Sequence, residues 1–349
     1  MAERISPSSE AFAATGAAYA ALDLGTNNCR LMVAAPTRSG FRVIDSYSRI
    51  VRLGEGLDHS GRLCPEAMER ALAALQVCAE RLARRRLSGV RAVATEACRR
   101  ASNGAEFLAL VRRETGLAID IISTREEAEL ALESCAPLLS QGGRRVLLFD
   151  IGGGSTEIAW VRLAAPGAPP ALIGYLSIPF GVVTLAERFG ASCFTREGFA
   201  AMVAVVRERL AAFERVHCIG KEIDCGGVQL LGTSGTVTTL AGVVLGLPRY
   251  RRPLVDGAIL DGAACDEALA LLFALGREGL VAHPCVGPER ADFVLPGCAV
   301  FAAIRALWPA SRVVVADRGL REGILLRLMR MTSDRPRGPR RPLHLGGRR

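Results

Sequence analysis

Two stretches of this chain share one pattern, and that pattern limits the fold more than any other feature. Residues 19–34 read YAALDLGTNNCRLMVA and residues 147–160 read LLFDIGGGSTEIAW. Each is an apolar run ending in an aspartate, then a loop of glycine, hydroxyl and amide residues, then a second apolar run. Such runs bounded by turn residues predict two strands joined by a tight loop. A plain hairpin turn needs only one or two residues that tolerate positive φ. Gly152, Gly153 and Gly154 followed by Ser155 and Thr156 exceed that need. Bare backbone beside hydroxyls suits a loop whose N–H groups come close to an anion. Asp23 and Asp150 lie 127 positions apart, too far for a hairpin repeat, so the pattern predicts two related halves facing one cleft.

A third loop of the same character, LLGTSGTVTTLAG at 230–242, places Gly232, Thr233, Ser234, Gly235 and Thr236 before a predicted helix. Free N–H groups at a helix start favour anions. Carboxylates surround the glycine-rich loops, with Asp150 and Glu157 on either side of the second. They would repel phosphate unless a divalent cation sits between them.

Between these loops, strand patterns alternate with helical ones. PEAMERALAALQVCAERLA repeats apolar residues at helical spacing with proline at its start, VRAVATEACRR runs from a short strand into Glu96, Arg99 and Arg100, and TREEAELALESC is a further helix opening on acids. This alternation predicts an α/β architecture. At 349 residues the chain is long enough for two cores. No apolar run approaches the roughly 18 residues of a membrane span, and the first 16 residues lack the apolar core of a signal peptide. Eleven cysteines occur without a C-x-x-C pair, which fits reduced thiols in a cytoplasmic protein. Of the net charge of +9, the segment 331–349 contributes +5 through six arginines and one aspartate. Its composition predicts a disordered basic tail, just as residues 1–16 predict a disordered leader. Arginine outnumbers lysine 43 to 1, a bias with no function assigned to it.

The motifs DLGTNNCR (23–30), ATEACR (94–99), STREEAEL (123–130), DIGGGSTE (150–157), SIPFGVVTL (177–185), GTSGT (232–236), RADFVLPG (290–297) and DRGLREG (317–323) occur in this order. In them the chain resembles the exopolyphosphatase / guanosine-pentaphosphate phosphohydrolase family, within the actin/sugar-kinase/Hsp70 superfamily. Thr124 and Glu129 depart from the family pattern, which has glycine and frequently arginine there. The resemblance implies two ribonuclease-H-like domains with the active site in the interdomain cleft: residues 17–126 plus 318–330, and 127–317. It also implies the short form of the family, without the C-terminal HD-type region, and a homodimer.

The resemblance implies Glu127 as the general base, with Arg99 and Arg30 supplying guanidinium groups. Phosphate would be held by Gly25, Thr26, Asn27 and Asn28, by Gly152, Gly153, Gly154 and Ser155, and by Gly232 to Thr236. Asp150, Glu157 and Asp23 would ligate Mg²⁺, with Mn²⁺ as the alternative. Glu126 and Asp150 are expected neighbours that raise the pKa of Glu127. Read without the resemblance, Glu126, Glu127 and Glu129 are also what a helix dipole favours in a first turn. The implied substrate is inorganic polyphosphate or guanosine pentaphosphate, with no specific nucleic acid and no membrane as partner. A kinase or a non-hydrolytic nucleotide-binding protein would reuse the same loops.

Overall fold

The computed structural model describes residues 17–38, 40–139, 143–163 and 170–333. The expected leader, and the expected tail from residue 334 on, lie outside them. Eleven strands form among the described residues: β1 (Ala18–Leu24), β2 (Asn28–Thr37), β3 (Gly40–Ile50), β4 (Leu87–Ala94), β5 (Ile119–Ile121), β6 (Arg145–Ile151), β7 (Thr156–Arg162), β8 (Ala171–Ile178), β9 (Val228–Thr233), β10 (Ile259–Asp261) and β11 (Arg312–Ala316). They make two sheets, ordered β3-β2-β1-β4-β5 and β10-β11-β9-β6-β7-β8.

The two orders are the same device used twice. In the first sheet β1, β2 and β3 pair antiparallel, while β4 and β5 add parallel to β1. In the second, β6, β7 and β8 pair antiparallel, and β9 and β11 add parallel to β6. Only β10, antiparallel to β11, has no counterpart. Short loops suffice for the hairpins, whereas a parallel neighbour requires a crossover. The helix Pro65–Ala83 supplies it between β3 and β4. Both sheets thus have the ribonuclease-H-like strand order.

Burial explains the strand sequences. The central strands β1 (AYAALDL) and β6 (RVLLFDI) are almost continuously apolar because both of their faces are covered. The edge strand β3 is largely exposed. On one face of the first sheet, Leu75, Cys78, Phe107 and Val111, from the helices Pro65–Ala83 and Gly104–Thr115, pack on Leu22, Leu24 and Leu31. The other face is closed by the last helix, Leu320–Ser333, whose Ile324, Leu325 and Met329 meet Tyr19, Ala21, Met32 and Val93. That helix runs three residues past the expected end of the folded chain.

In the second half, Phe149 and Phe301 lie in the core between its sheet and the helices Arg196–His217 and Ala291–Leu307. The opposite face is covered by the helix Thr124–Cys135 through Ala128, Ala131, Leu132 and Cys135. This helix and Leu320–Ser333 pack together between the two halves. Leu130 joins the apolar cluster around Ile324, and Arg327 bonds Glu133 (2.6 Å) and approaches Glu126 (3.5 Å) and Glu129 (3.9 Å). Glu129, one of the departures noted above, is thereby used for helix pairing.

All eleven cysteines are unpaired. No described helix is long and apolar enough to cross a membrane.

Candidate active site

The two hairpin loops come together at one cleft, a cavity of about 1060 Å³. Register decides what each hairpin contributes. Asp23 of β1 stands opposite Arg30 of β2, and at the matching place Asp150 of β6 stands opposite Glu157 of β7. Directly opposed residues share a face of the sheet. The first hairpin therefore pairs an acid with a base, and the second pairs two acids.

The loops are built from backbone hydrogen bonds that use up their carbonyls. In the first, the Asn27 carbonyl accepts from Val51 N (2.9 Å) and Arg52 N (3.1 Å), and the Thr26 carbonyl from Gly54 N (2.9 Å). In the second, the Gly152 and Gly153 carbonyls accept from Val182 N (3.0 Å) and Val183 N (2.8 Å), the start of the helix Val182–Phe189. The N–H groups of Thr26, Asn27, Gly153 and Gly154 have no partner among the described residues, and all four residues line the cleft. Such N–H groups form an anion-binding concavity.

The glycines are required by a contact between the loops themselves. A Cβ on Gly154 would fall 2.5 Å from Thr26 Oγ1, and one on Gly153 3.1 Å from Asn27 Cβ. Neither glycine has positive φ. Gly181 is tighter still, since a Cβ there would meet the Gly153 carbonyl at 2.4 Å. The sequence reading gave Gly181 no role.

Four carboxylates stand around the loops: Asp23, Glu127 and Glu157 are buried and Asp150 is half-buried. Asp23 Oδ1 is buried without a hydrogen-bond partner, and burial raises its pKa against the opposing fields of Arg30 and Arg321. Burial pushes Asp150 up to about 6, while a Ser234 hydroxyl bond and Arg30 work the other way. Glu157 is pushed up to about 7 by burial and by Asp150, although Ser155 Oγ (2.6 Å) and Ser177 Oγ (2.9 Å) both donate to its Oε1. Glu127 is raised well above the ordinary range by burial, then Glu157 and Asp150, with Arg99 opposing.

Glu127 reaches this cluster through the phase of its helix. Ser123 caps the helix, its Oγ accepting from Glu126 N at 3.1 Å. Successive side chains on a helix point about 100° apart. Glu127 therefore faces the cleft, whereas Glu126 turns to Arg91 and Arg327. The expectation that Glu126 acts on Glu127 is corrected: Glu157 and Asp150 are the carboxylates that do.

The structure brings Asp23, Gly25, Thr26, Asn27, Asn28, Arg30, Glu127, Asp150, Gly152, Gly153, Gly154, Ser155, Glu157, Ser234, Gly235 and Thr236 to the cleft wall. Three expected residues are not part of it. Gly232 lies in β9, where a Cβ would strike the Phe149 ring at 2.4 Å, so its smallness serves the core. Thr233 is buried and donates to the Arg318 carbonyl. Arg99 is engaged within the protein: Nη1 donates to Glu127 Oε2 (3.1 Å) and the Ile122 carbonyl (2.9 Å), Nη2 to Glu96 (2.7 Å). Its place is behind Glu127, holding the carboxylate. Ser234 sits at φ 81°, a left-handed conformation costly for a residue with a Cβ.

A divalent cation fits this chemistry as a shared ligand. Asp150 and Glu157 face each other and Asp23 has an orphaned oxygen. Yet among the described residues no three His, Cys, Asp or Glu side chains converge closely enough to hold a metal by themselves. Mg²⁺ keeps several waters and takes ligands from substrate phosphates, so it does not require three protein ligands. Missed in the sequence reading were Arg252, Arg318 and Arg321, which also line the cleft; the last two belong to the DRGLREG segment, whose two arginines were the available signal.

The profile of the Ppx/GppA phosphatase family matches residues 32–332. The chain is 31% identical over 323 residues to exopolyphosphatase 2 of Mycobacterium tuberculosis, covering 88% of this chain and 98% of that protein. It is 30% identical over 320 residues to a guanosine-5'-triphosphate,3'-diphosphate pyrophosphatase of Aeromonas salmonicida, covering 90% of this chain but 60% of that protein. Among solved structures, the Aquifex aeolicus member of the Ppx/GppA family superposes with a TM-score of 0.73 at 27% identity, covering 90% of this chain and 98% of the other.

Proposed function

The chain belongs to the Ppx/GppA phosphatase family, and on that premise we propose that it hydrolyses the terminal phosphoanhydride bond of inorganic polyphosphate and releases orthophosphate. The observation that carries this reading is the opposition of Asp150 and Glu157 across the second hairpin, with Glu127 buried beside them. Three acids held together beside two loops of free N–H groups make sense where a polyanion and its counter-cation bind together.

Each group then has a task. Glu127 accepts a proton from the attacking water. Its raised pKa brings it toward the solution pH, where a general base is most effective. Arg99 fixes the orientation of that carboxylate and Glu96 fixes Arg99. The N–H groups of Thr26, Asn27, Gly153 and Gly154 hold the terminal phosphoryl oxygens, where preorganised donors stabilise developing charge without reorganising. Asp150 and Glu157, directly or through water, with Asp23 beside them, would hold Mg²⁺ or Mn²⁺, which when bound supplies positive charge to the phosphate oxygens. Water attacks phosphorus in line, the bridging oxygen leaves with the shortened chain, and the proton passes to Glu127.

Polyphosphate is preferred as substrate because the Mycobacterium tuberculosis exopolyphosphatase is matched over nearly its whole length. Guanosine pentaphosphate is the second reading. It is favoured by the extension of the cleft past both loops to Tyr250 and Phe293, aromatic walls suited to a base. Orthophosphate release with Mg²⁺ from polyphosphates of several lengths, guanosine pentaphosphate and ATP tests both readings. Polyphosphate should give the highest kcat/KM. Preference for guanosine pentaphosphate would reverse the order, and activity on none of them would refute the hydrolase.

A further inference from the structure

Residues 51–57, directly after β3, have no task in the chemistry above, yet they back the first anion loop. The N–H groups of Val51, Arg52 and Gly54 are the ones that hold the Asn27 and Thr26 carbonyls. The approach is close, since a Cβ on Gly54 would fall 2.3 Å from Thr26 Cγ2. Arg52 adopts φ 48° here, a left-handed conformation that is costly for a residue with a Cβ.

Two contacts carry this segment across to the second half. The Arg52 guanidinium lies over the Phe293 ring, 5.8 Å from its centroid, a cation–π contact. Gly56 N donates to Glu187 Oε1 at 3.1 Å. Glu187 belongs to the helix Val182–Phe189, whose first N–H groups hold the Gly152 and Gly153 carbonyls of the second loop. A continuous set of hydrogen bonds and one helix therefore joins the two anion loops from behind, and the Gly56–Glu187 bond is where it passes from one half to the other.

That bond is poorly supported. Glu187 is half-buried, and its Oε2 is buried without a partner among the described residues. Burial raises its pKa; the Gly56 N–H opposes this, Asp58 and Glu55 add to it, and His59 opposes it. The arginines nearest those two acids are already engaged, Arg70 by Glu55 and Arg100 by Asp58. A buried oxygen left unpaired costs about as much as a hydrogen bond contributes, or more. An amide at this position would keep the acceptor for Gly56 and place a donor where the unpaired oxygen now faces acids. As a fastening, the carboxylate is the weaker choice.

We propose that Glu187 is a positioning residue that sets the spacing of the two anion loops through Gly56, and that its unpaired oxygen keeps this contact weak enough to open when ligand enters or leaves. The proposal rests on the hydrolase reading in taking phosphate as the ligand that both loops hold. The N–H groups of Thr26 and Asn27 lie on one loop and those of Gly153 and Gly154 on the other, so the spacing between the halves decides how well one phosphate meets all four.

The test compares wild type, Glu187→Ala and Glu187→Gln by calorimetric binding of imidodiphosphate, a non-hydrolysable diphosphate, in Mg²⁺ buffer. Hydrogen exchange over residues 23–30, 50–57 and 150–156 and melting temperatures are measured alongside. Glu187→Ala removes the acceptor, so binding should weaken about 2- to 10-fold, the worth of one net hydrogen bond, with faster exchange in all three segments. Glu187→Gln should shift both readouts the other way, with binding tighter by a similar factor and exchange slower. A side chain that only fills space predicts no such opposition, because glutamine is nearly isosteric with glutamate. Where Glu187→Ala fails to fold, Glu187→Gln alone decides. Binding by Glu187→Gln no tighter than wild type, unchanged binding in Glu187→Ala, or no binding by wild type overturns the proposal. Opposite shifts together with no orthophosphate release by wild type from any phosphoanhydride keep it and remove the hydrolase reading.

Discussion

Glu127→Gln is the sharpest perturbation of the proposed chemistry, and the structure sets what it should do. Oε2 of Glu127 accepts from Arg99 Nη1 at 3.1 Å. A glutamine there keeps its oxygen on Arg99 and turns its NH₂ toward the cleft, so a donor replaces the acceptor the water needs. Loss of a positioned general base costs about 10²–10⁴-fold in rate, and that fall is expected in kcat with KM little changed. The fold should not suffer, because the variant removes a buried charge from beside Glu157 and Asp150 and leaves Arg99 its 2.7 Å bond to Glu96. Glu126→Gln is the control. It loses ion pairs to Arg91 and Arg327, partly exposed pairs worth about 0.2–1 kcal/mol each, and should lower the melting temperature slightly with kcat near wild type. The assay is orthophosphate release from one polyphosphate by all three proteins, with melting temperatures. Equal small losses in kcat for the two variants would refute the assignment of the base.

The base also sets a pH profile. Its pKa is raised and it acts deprotonated, so kcat/KM should fall on acidification while the pH is still well above the ordinary glutamate range; an acid limb near 4.5 would contradict this. Chelation of divalent cations should abolish turnover, and unchanged activity in excess chelator would remove Asp150 and Glu157 from metal binding. For Gly181→Ala, a Cβ 2.4 Å from the Gly153 carbonyl must displace the second loop; overpacking of this kind costs about 1–3 kcal/mol, so urea unfolding should show the loss and kcat should drop with it. Wild-type stability and unaltered kcat would mean that the loop tolerates the shift. Glu157 ionises near 7 in the folded protein and near 4.3 unfolded. The folded state binds more protons between those values, so this group's contribution to stability is complete below the lower one and is lost as pH rises through 7. In metal-free buffer Glu157→Gln should therefore gain stability relative to wild type at pH 8 and not at pH 4; an equal difference at both would refute the burial argument.

The features legible in the sequence were those carried by local patterns. An apolar run ending in Asp, then a glycine–hydroxyl loop, is complete within a dozen residues, so Asp23, Asp150 and both hairpins could be located from the letters alone. The third loop shows the limit of that method. GTSGT reads as a single anion loop, but Gly232 and Thr233 still belong to β9 and face Phe149 and the Arg318 carbonyl, and only Ser234 onward reaches the cleft. A strand-to-helix boundary runs through the motif, and the glycine before it answers to packing. Arg99 shows a different limit. Glu96 lies three residues earlier in its own helix, but Glu127 and the Ile122 carbonyl come from elsewhere in the chain, so how fully its guanidinium is engaged depends on contacts that only the fold creates.

The same dependence on partners separates the arginines that serve the fold from those available to substrate. The chain carries 43 arginines, and their spacing alone does not distinguish Arg318 from Arg321. In the structure Arg318 meets Asp256 and Arg252 meets Glu322, whereas Arg30 and Arg321 flank an aspartate that bonds to neither. Across the second hairpin, Asp150 and Glu157 oppose each other with raised pKa values. A fold with no ligand to accommodate would gain by pairing these acids with those arginines, since an unpaired buried charge is more costly than a paired one. It leaves them without ion pairs, Asp150 and Glu157 on the second hairpin, Arg30 on the first and Arg321 in the first turn of the last helix. On the proposed function, unpaired charge of both signs in one cleft is what a cation and a polyanion bound together would complement.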